Sequence, residues 1–270
     1  MQSDRVTFIA DFYSEEYTRY QADFVCCKMT LEHISDTAAF VQRVRRSIGE
    51  RLETTVFFQV PNARYVLGDV AFWDVYYEHC SYFDANALTR LFERCGFQVL
   101  ATRTEYDDQY LVIEAKPVAC QTPDPRFSQS AVAELLAEVE AFRQQASARL
   151  AQWDQLLTQW AATGQRVVIW GGGSKGVAFL TALQHNKAIQ YAVDINPIKH
   201  GTYMAGTGHE IVGPATLAAY QPQVVIVMNP IYCTEIRQEL AKIGVQAELL
   251  SIDEDFSQSS LQSELLLKAV

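Results

Sequence analysis

The chain has 270 residues, of which 49% are apolar and 20% are charged, a composition that is typical of globular proteins and excludes disordered and collagen-like chains. Its formal net charge of −10 argues against nucleic acid and anionic membranes as partners. The length equals roughly 1.8 nominal domains of ~150 residues, which predicts two modest domains or one large domain.

Short apolar strands alternate with amphipathic helices over residues 6–116, a pattern that predicts an α/β unit. Pro61-Asn62 is a turn signal, and Gly96 follows a predicted helix at the position where glycine is favoured. Residues 106–109 separate two β-rich stretches and predict a hairpin turn. The expected elements are strands at 6–10, 23–27 and 54–60, helices at 36–48 and 86–95, and an antiparallel hairpin of 97–104 with 110–115.

A linker and a long helix are expected in the middle of the chain. Residues 118–127 contain prolines and little periodicity, which indicates a linker. Residues 128–163 are helix formers without Pro or Gly and carry an apolar stripe, and a break near residues 146–148 is left open. We interpret this segment as a connecting helix that packs across both halves, with a coiled-coil dimer arm as the alternative.

A second α/β pattern begins after Gly164. It predicts a small parallel sheet of roughly four strands with right-handed crossovers. Residues 253–270 are expected to form a loosely attached tail. The expected elements are strands at 166–170, 190–193, 224–228 and 247–251, and helices at 174–185, 214–220 and 235–243.

Targeting signals and metal motifs are both missing from the sequence. No stretch approaches about 18 uninterrupted apolar residues, and the first residues lack the basic start and apolar run of a signal peptide. The six cysteines form no Cys-x-x-Cys pair and are interpreted as reduced core thiols. We therefore expect a cytoplasmic protein with no membrane association and no bound metal.

Residues 171–176 read Gly-Gly-Gly-Ser-Lys-Gly and lie between a predicted strand and a predicted helix. They match G-x-G-x-x-G, and Asp194 ends the next predicted strand. Such a loop lets backbone N–H groups approach an anion closely. It is not a Walker loop, because Lys175 precedes the final glycine and neither Ser nor Thr follows it. The two interpretations are a dinucleotide site and a tight strand-to-helix turn.

Two clusters concentrate groups that can exchange protons. Residues 26–34 run from a strand into Leu31-Glu32-His33-Ile34, and residues 76–83 read Tyr-Tyr-Glu-His-Cys-Ser-Tyr-Phe. The second cluster has no helical or strand period and brings a phenol, a carboxylate and an imidazole together, which favours a site. The alternatives are surface or capping roles for the first cluster and a stacked aromatic loop with an incidental histidine for the second.

In their order along the chain, these motifs resemble the later part of class I S-adenosylmethionine-dependent methyltransferases of the sugar C-methyltransferase type. The match includes residues 31–34, 60–62, 76–83 and the hairpin. A C-terminal Rossmann-like domain follows in that family, and residues 168–176, 194–201 and 228–236 are similar to its marker stretches. The resemblance implies a catalytic domain at residues 1–117, a linker and helix at 118–163, the C-terminal domain at 164–252 and a tail at 253–270.

The resemblance implies methylation at C-3 of a dTDP-4-keto-deoxysugar or a related nucleotide sugar. The keto group acidifies the neighbouring C–H, and His79 matches the base that removes this proton. Glu78 would orient or charge-tune His79, and Tyr76 would hydrogen-bond the sugar or its enolate oxygen.

The cofactor implied by the resemblance is S-adenosylmethionine. Its expected contacts are the strand-ending Asp11, which would accept from the adenine amino group, and the segment with Met29, Leu31, Glu32 and His33. The C-terminal domain would help to bind the nucleotide sugar, without nicotinamide chemistry, in a monomer or homodimer. The residues expected near that substrate are Gly171, Gly173, Lys175, Asn196, Lys199 and Asn229.

The sequence departs from the family at the cofactor fingerprint. Neither the glycine-rich Glu-x-Gly-x-Gly loop nor the acid that ends the second strand is found, so an incomplete sheet of strands 3 to 7 is expected. The family's strand order is 3-2-1-4-5-7-6, and strand 3 would then pair with strand 4, stay loose or be completed by another chain. We expect weak or no binding of S-adenosylmethionine. A non-catalytic sugar-nucleotide binding or accessory protein and an NAD(P)-binding oxidoreductase are the alternative functions.

Overall fold

Helices and strands alternate along the chain in a computed structural model, which describes residues 5–119, 129–254 and 256. The helices of the described residues are α1 Thr37–Ile48, α2 Ala63–Gly68, α3 Ala85–Arg94, α4 Gln129–Ala162, α5 Ser174–Ala182, α6 Leu217–Tyr220 and α7 Cys233–Lys242. The strands are β1 Phe24–Lys28, β2 Thr55–Pro61, β3 Phe97–Glu105, β4 Tyr110–Pro117, β5 Val167–Trp170, β6 Ile189–Val193, β7 Glu210–Val212, β8 Val224–Val227 and β9 Glu248–Ser251.

The chain divides into two compact units. The first consists of Met1–Ala63 and Glu78–Ser128, and the second of Arg64–Tyr77 and Gln129–Val270. The domain limits expected at residues 117, 163 and 252 stay a prediction.

The first unit contains a four-stranded sheet of order β1-β2-β4-β3. Strand β1 is parallel to β2, whereas β4 is antiparallel to both β2 and β3. The predicted hairpin is therefore present, and its turn residues Tyr106, Asp107 and Asp108 adopt positive φ angles. The order corresponds to strands 4-5-7-6 of the class I arrangement, which confirms the expected α/β fold class.

The helices of this unit are capped as their sequences predict. The carboxylate of Asp36 accepts a hydrogen bond from the N–H of Ala39 at 2.9 Å, and that of Asp84 accepts from Ala87 at 2.7 Å. Their apolar faces close a core in which Phe92 meets Phe58 edge-on, with ring centroids 5.0 Å apart. The residues buried with them include Val41, Val44, Ile48, Val56, Leu88, Phe97 and Ile113.

The strand predicted at residues 6–10 was wrong. This segment has no regular structure, and Phe8 and Phe12 are 81% and 90% exposed. An apolar run becomes a strand only where a neighbouring edge supplies hydrogen-bond partners. Of the strands described, β2 is the one that pairs with β1, so the sheet contains four strands and not the five expected.

The second unit contains a five-stranded parallel sheet of order β7-β6-β5-β8-β9. The central strands β5 and β8 are buried along their whole length, as expected for a parallel sheet that is covered on both faces. Roughly four strands were expected, and the additional strand is β7. It has only three residues, which is too short to leave an alternating pattern.

Helix α4 belongs to the second unit and runs for 34 residues without interruption. The helix does not break near residues 146–148, and Ala146 is buried. Trp153 is fully buried and packs edge-on against Phe179 and Phe256, at centroid distances of 5.3 and 4.9 Å. Phe256, within the expected tail of residues 253–270, is buried. Residues 255 and 257–270, residues 120–127 of the expected linker and residue 128 of the expected helix lie outside the described residues.

None of the helices in the described ranges combines the length and the apolar character that a membrane span requires.

Candidate active site

Part of the acid–base cluster predicted at residues 76–83, namely residues 78–82, folds onto the end of β1 in the first unit. Leu31–His33 form a short 3₁₀ helix there, held by the buried side chain of Leu31. The carbonyl oxygen of Glu32 accepts a hydrogen bond from the N–H of Cys80 at 2.7 Å, and Nδ1 of His33 lies 3.2 Å from the carbonyl oxygen of Glu78. The two clusters that the sequence singled out are thus brought together.

Two imidazole rings meet at this contact. The ring centroids of His33 and His79 are 4.9 Å apart, with an interplanar angle of 79°. The ring of Tyr82 lies 5.6 Å from that of His79 on another side. His79 is half-buried and His33 is exposed, so the pair lies at the boundary between the core and solvent.

The carboxylate next to this pair belongs to Glu32. Its side chain is 0% exposed, and neither oxygen has a hydrogen-bond partner among the residues that the structure describes. Oε1 lies 3.9 Å from Nε2 of His33. Burial raises the pKa of Glu32, and the nearby backbone N–H groups and His33 offset this only in part. Glu32 is therefore neither a surface residue nor a cap.

The other two predicted catalytic residues lie in different surroundings. Glu78 is exposed and contributes its backbone oxygen to the contact with His33. Tyr76 belongs to the second unit, where its hydroxyl donates to Oδ1 of Asp74 at 2.6 Å. Glu32 takes the place beside the histidines that was predicted for Glu78. Both carboxylates occur in equally polar motifs, so the sequence contained no signal to separate them.

Asp74 was not predicted as a site residue. Besides the Tyr76 hydroxyl, its carboxylate accepts a hydrogen bond from Nζ of Lys175, and Lys175 also lies over the ring of Tyr65 at 5.6 Å. The Lys175 ammonium is thus ion-paired within the second unit. Because Asp74 and Lys175 are 101 residues apart in sequence, no local pattern connects them.

The residues predicted to bind S-adenosylmethionine do not form a single pocket that would fit this molecule. Leu31 and Glu32 are fully buried, so their side chains present no surface to a molecule as large as S-adenosylmethionine. Met29 is an exposed turn residue with a φ of 49°. Asp11 does not end a strand, and its carboxylate accepts from the hydroxyl of Tyr17 at 2.6 Å, beside an open groove of about 390 Å³. For this reason, no reaction step is assigned to S-adenosylmethionine.

The glycine loop of the second unit follows β5 at the same edge of the sheet as Asp194, which follows β6. Gly171 has a φ of 136°, and a Cβ on it would lie 2.8 Å from Cβ of Met228. A Cβ on Gly176 would lie 2.3 Å from the carbonyl oxygen of Gly171. This is the geometry of a tight strand-to-helix turn, the second of the two interpretations of the motif.

The remaining predicted substrate residues surround this turn. Nζ of Lys199 donates to Oδ2 of Asp194 at 2.8 Å and to the carbonyl oxygen of Gly172 at 3.1 Å. Asn196 caps the short 3₁₀ helix Pro197–Lys199 through the N–H of Ile198. Gly173 has open space around its Cα, and Asn229 precedes the 3₁₀ helix Pro230–Tyr232. The amino groups of Lys175 and Lys199 are thus engaged by carboxylates of the protein.

Comparisons with known proteins agree with this two-part organisation. A methyltransferase domain matches residues 2–102, and a C-methyltransferase C-terminal domain matches residues 129–248. C-methyltransferase NovU of Streptomyces niveus is 27% identical over 244 residues, which is 85% of this chain. The match covers 56% of NovU, so the chain spans little more than half the length of this relative. The chain thus combines a region similar to a methyltransferase domain with a region similar to a C-methyltransferase C-terminal domain.

Proposed function

We propose that this chain acts in the C-methylation of a nucleotide-linked keto-deoxysugar, with His79 as the base. The observation that carries the proposal is the packing of residues 78–82 on residues 31–33, which brings His79 beside His33 at the surface of the methyltransferase domain. The substrate class follows from the sequence motifs that resemble sugar C-methyltransferases.

The step assigned to this chain is removal of a proton from the carbon next to the ketone. A nitrogen of His79 accepts this proton, and the electron pair of the broken C–H bond becomes the enolate. An imidazole suits this step, since its ordinary pKa lies near neutral pH. Glu32 and His33 support the imidazolium that forms, because a buried carboxylate close to it favours the positive charge.

We further propose that these 270 residues bind S-adenosylmethionine weakly or not at all. The residues expected to contact it are buried or engaged within the protein, as Leu31, Glu32 and Asp11 illustrate. The same observation favours a second candidate function, a sugar-nucleotide binding protein that does not catalyse methyl transfer. Residues 129–248, which match the C-terminal domain, would then provide the binding surface.

The decisive experiment is hydrogen–deuterium exchange at C-3 of a dTDP-4-keto-deoxysugar, followed by NMR in deuterated buffer without a methyl donor. The chain is expected to accelerate exchange, and His79→Asn should lose about 10²-fold or more of this acceleration. His185→Asn is the matched control, because the imidazole of His185 lies 3.3 Å from a carboxylate, that of Asp154, but belongs to the second unit. Undiminished exchange by His79→Asn would exclude the base role. Nucleotide-sugar binding without any exchange would favour the second candidate.

A further inference from the structure

We propose that, when no substrate is bound, Glu32, His33 and His79 form a binding site for a divalent transition-metal cation, so that cation binding and the proposed base role of His79 exclude each other. Each residue offers one ligand atom, a carboxylate oxygen or an imidazole nitrogen, and these three atoms lie within 4.8 Å of one another. All three residues belong to the first unit. The sequence contained no metal motif, because the ligands come from two segments that only the fold brings together.

The buried carboxylate is the first reason for this assignment. The side chain of Glu32 is fully buried, and within the described part of the chain neither of its oxygens has a hydrogen-bond partner. Burial of an ionised carboxylate is costly unless it is paired or coordinates a metal. His33 lies within ion-pair distance of this carboxylate, with its Nε2 3.9 Å from Oε1. A cation between these groups would satisfy the carboxylate.

The orientation of His33 is the second reason. Its Nδ1 lies 3.2 Å from the carbonyl oxygen of Glu78, an acceptor to which Nδ1–H can donate. This hydrogen bond leaves Nε2 with its lone pair free, on the side of Glu32. Metal-binding histidines usually donate their second ring N–H to a carbonyl or carboxylate in this way. The backbone of the loop thus orients one ligand and holds His79 close to it.

The donor set indicates the kind of cation. Two imidazole nitrogens and one carboxylate oxygen suit Zn²⁺, Fe²⁺ or Co²⁺, whereas Mg²⁺ and Ca²⁺ prefer oxygen ligands alone. Ligand distances of about 2.0–2.2 Å require the two imidazoles to move inward slightly. His33 is 44% exposed, so it has room to do so, and the solvent side stays open for oxygen ligands.

The test is a titration of the full 270-residue chain with Co²⁺, followed by absorption spectroscopy and calorimetry in the absence of substrate. We expect one equivalent to bind. Glu32→Gln, His33→Asn and His79→Asn should each weaken binding by at least about tenfold, the lower limit for loss of even an outer partner of a ligand. His185→Asn should bind as tightly as the unmodified chain, since His185 lies beside Asp154 in the second unit and is not one of the three proposed ligands.

Cys80 provides the second control. Its exposed thiol lies 3.6 Å from the carbonyl oxygen of His33, close enough to compete as a ligand. Cys80→Ser should leave the cobalt affinity unchanged, and the spectrum should lack a thiolate-to-cobalt charge-transfer band. Absence of saturable binding, unchanged affinity in folded His33→Asn and His79→Asn, or loss of binding in Cys80→Ser would each overturn the proposal. Because no substrate is present, none of these results depends on the proposed methylation.

Discussion

Replacement of Gly176 by alanine tests the close packing of the glycine turn. Gly176 is the third residue of α5, and a Cβ on it would lie 2.3 Å from the carbonyl oxygen of Gly171. That oxygen belongs to the backbone and cannot rotate away as a side chain could. Gly171 itself is restrained, because it follows the fully buried strand β5 and faces Met228. The helix or the turn must shift to admit the methyl group.

The change in the free energy of unfolding caused by Gly176→Ala is the sum of two opposing effects. Alanine in place of glycine within a helix would stabilise by about 1 kcal/mol. Overpacking a close-packed site costs about 1–3 kcal/mol, and a clash with backbone lies at the upper end or beyond it. We therefore expect Gly176→Ala to lower the free energy of unfolding by about 2 kcal/mol, which corresponds to a fall in Tm of roughly 4–8 °C for a unit of this size.

Tryptophan fluorescence during urea unfolding is a suitable assay. The four tryptophans of the chain, Trp73, Trp153, Trp160 and Trp170, all belong to the second unit, which contains α5. Gly173→Ser is the matched control, because the space around Gly173 is open and serine is favoured at the N-cap position that it occupies. If Gly176→Ala unfolded at the same urea concentration as the unmodified chain, the inferred close contact would be refuted.

Three further predictions concern charge, core packing and the methyl donor. Burial opposes ionisation of Asp194, but Lys199 and nearby backbone N–H groups outweigh this effect and hold the pKa of Asp194 below its ordinary value. The ionised carboxylate therefore stabilises the folded chain at pH values above the ordinary pKa, and this stabilisation is lost as the pH falls through the lowered pKa of the folded state. Asp194→Asn should therefore destabilise the chain by about 2 kcal/mol at neutral pH and flatten the acid side of the stability profile in urea unfolding; an unchanged profile would contradict this. Phe92→Ala, at a fully buried position, should cost about 3–5 kcal/mol in thermal unfolding followed by circular dichroism, whereas Phe8→Ala, at an 81% exposed position, should stay within about 0.5 kcal/mol; similar losses would argue against the described core. Calorimetry with S-adenosylmethionine should give no saturation in the micromolar range, and clear micromolar binding would disprove the expected weak affinity.

Where local patterns decide the structure, sequence reasoning was adequate. Helix α1 begins at the cap supplied by Asp36, and α3 ends just before Gly96, which has the positive φ expected there. The fully buried strands β5 and β8 were visible as uninterrupted apolar runs. In these elements the capping groups and the apolar positions lie within a few residues of one another, so the information is local.

Features that depend on contacts between residues distant in sequence could not be predicted in the same way. The apolar run at residues 6–10 satisfies every local criterion for a strand, yet it is exposed because no described strand pairs with it as a neighbour in the sheet. The position of Lys175 near the nucleotide sugar stays a prediction, and its ion pair with Asp74, a residue from a distant part of the sequence, was not predicted. In both cases the structure depends on which distant residues the fold places next to the segment or side chain.

The sequence alone determined the α/β class, the two-part organisation and the resemblance to methyltransferases, because apolar periodicity, turn residues and motif order are properties of short segments. Only the tertiary structure decided which carboxylate accompanies the histidines. Glu32 and Glu78 are each followed by a histidine, but β1 and the 3₁₀ helix turn Glu32 into the core while Glu78 stays in solvent. Burial and long-range contact assign their different roles, and neither property can be read from a residue's immediate neighbours.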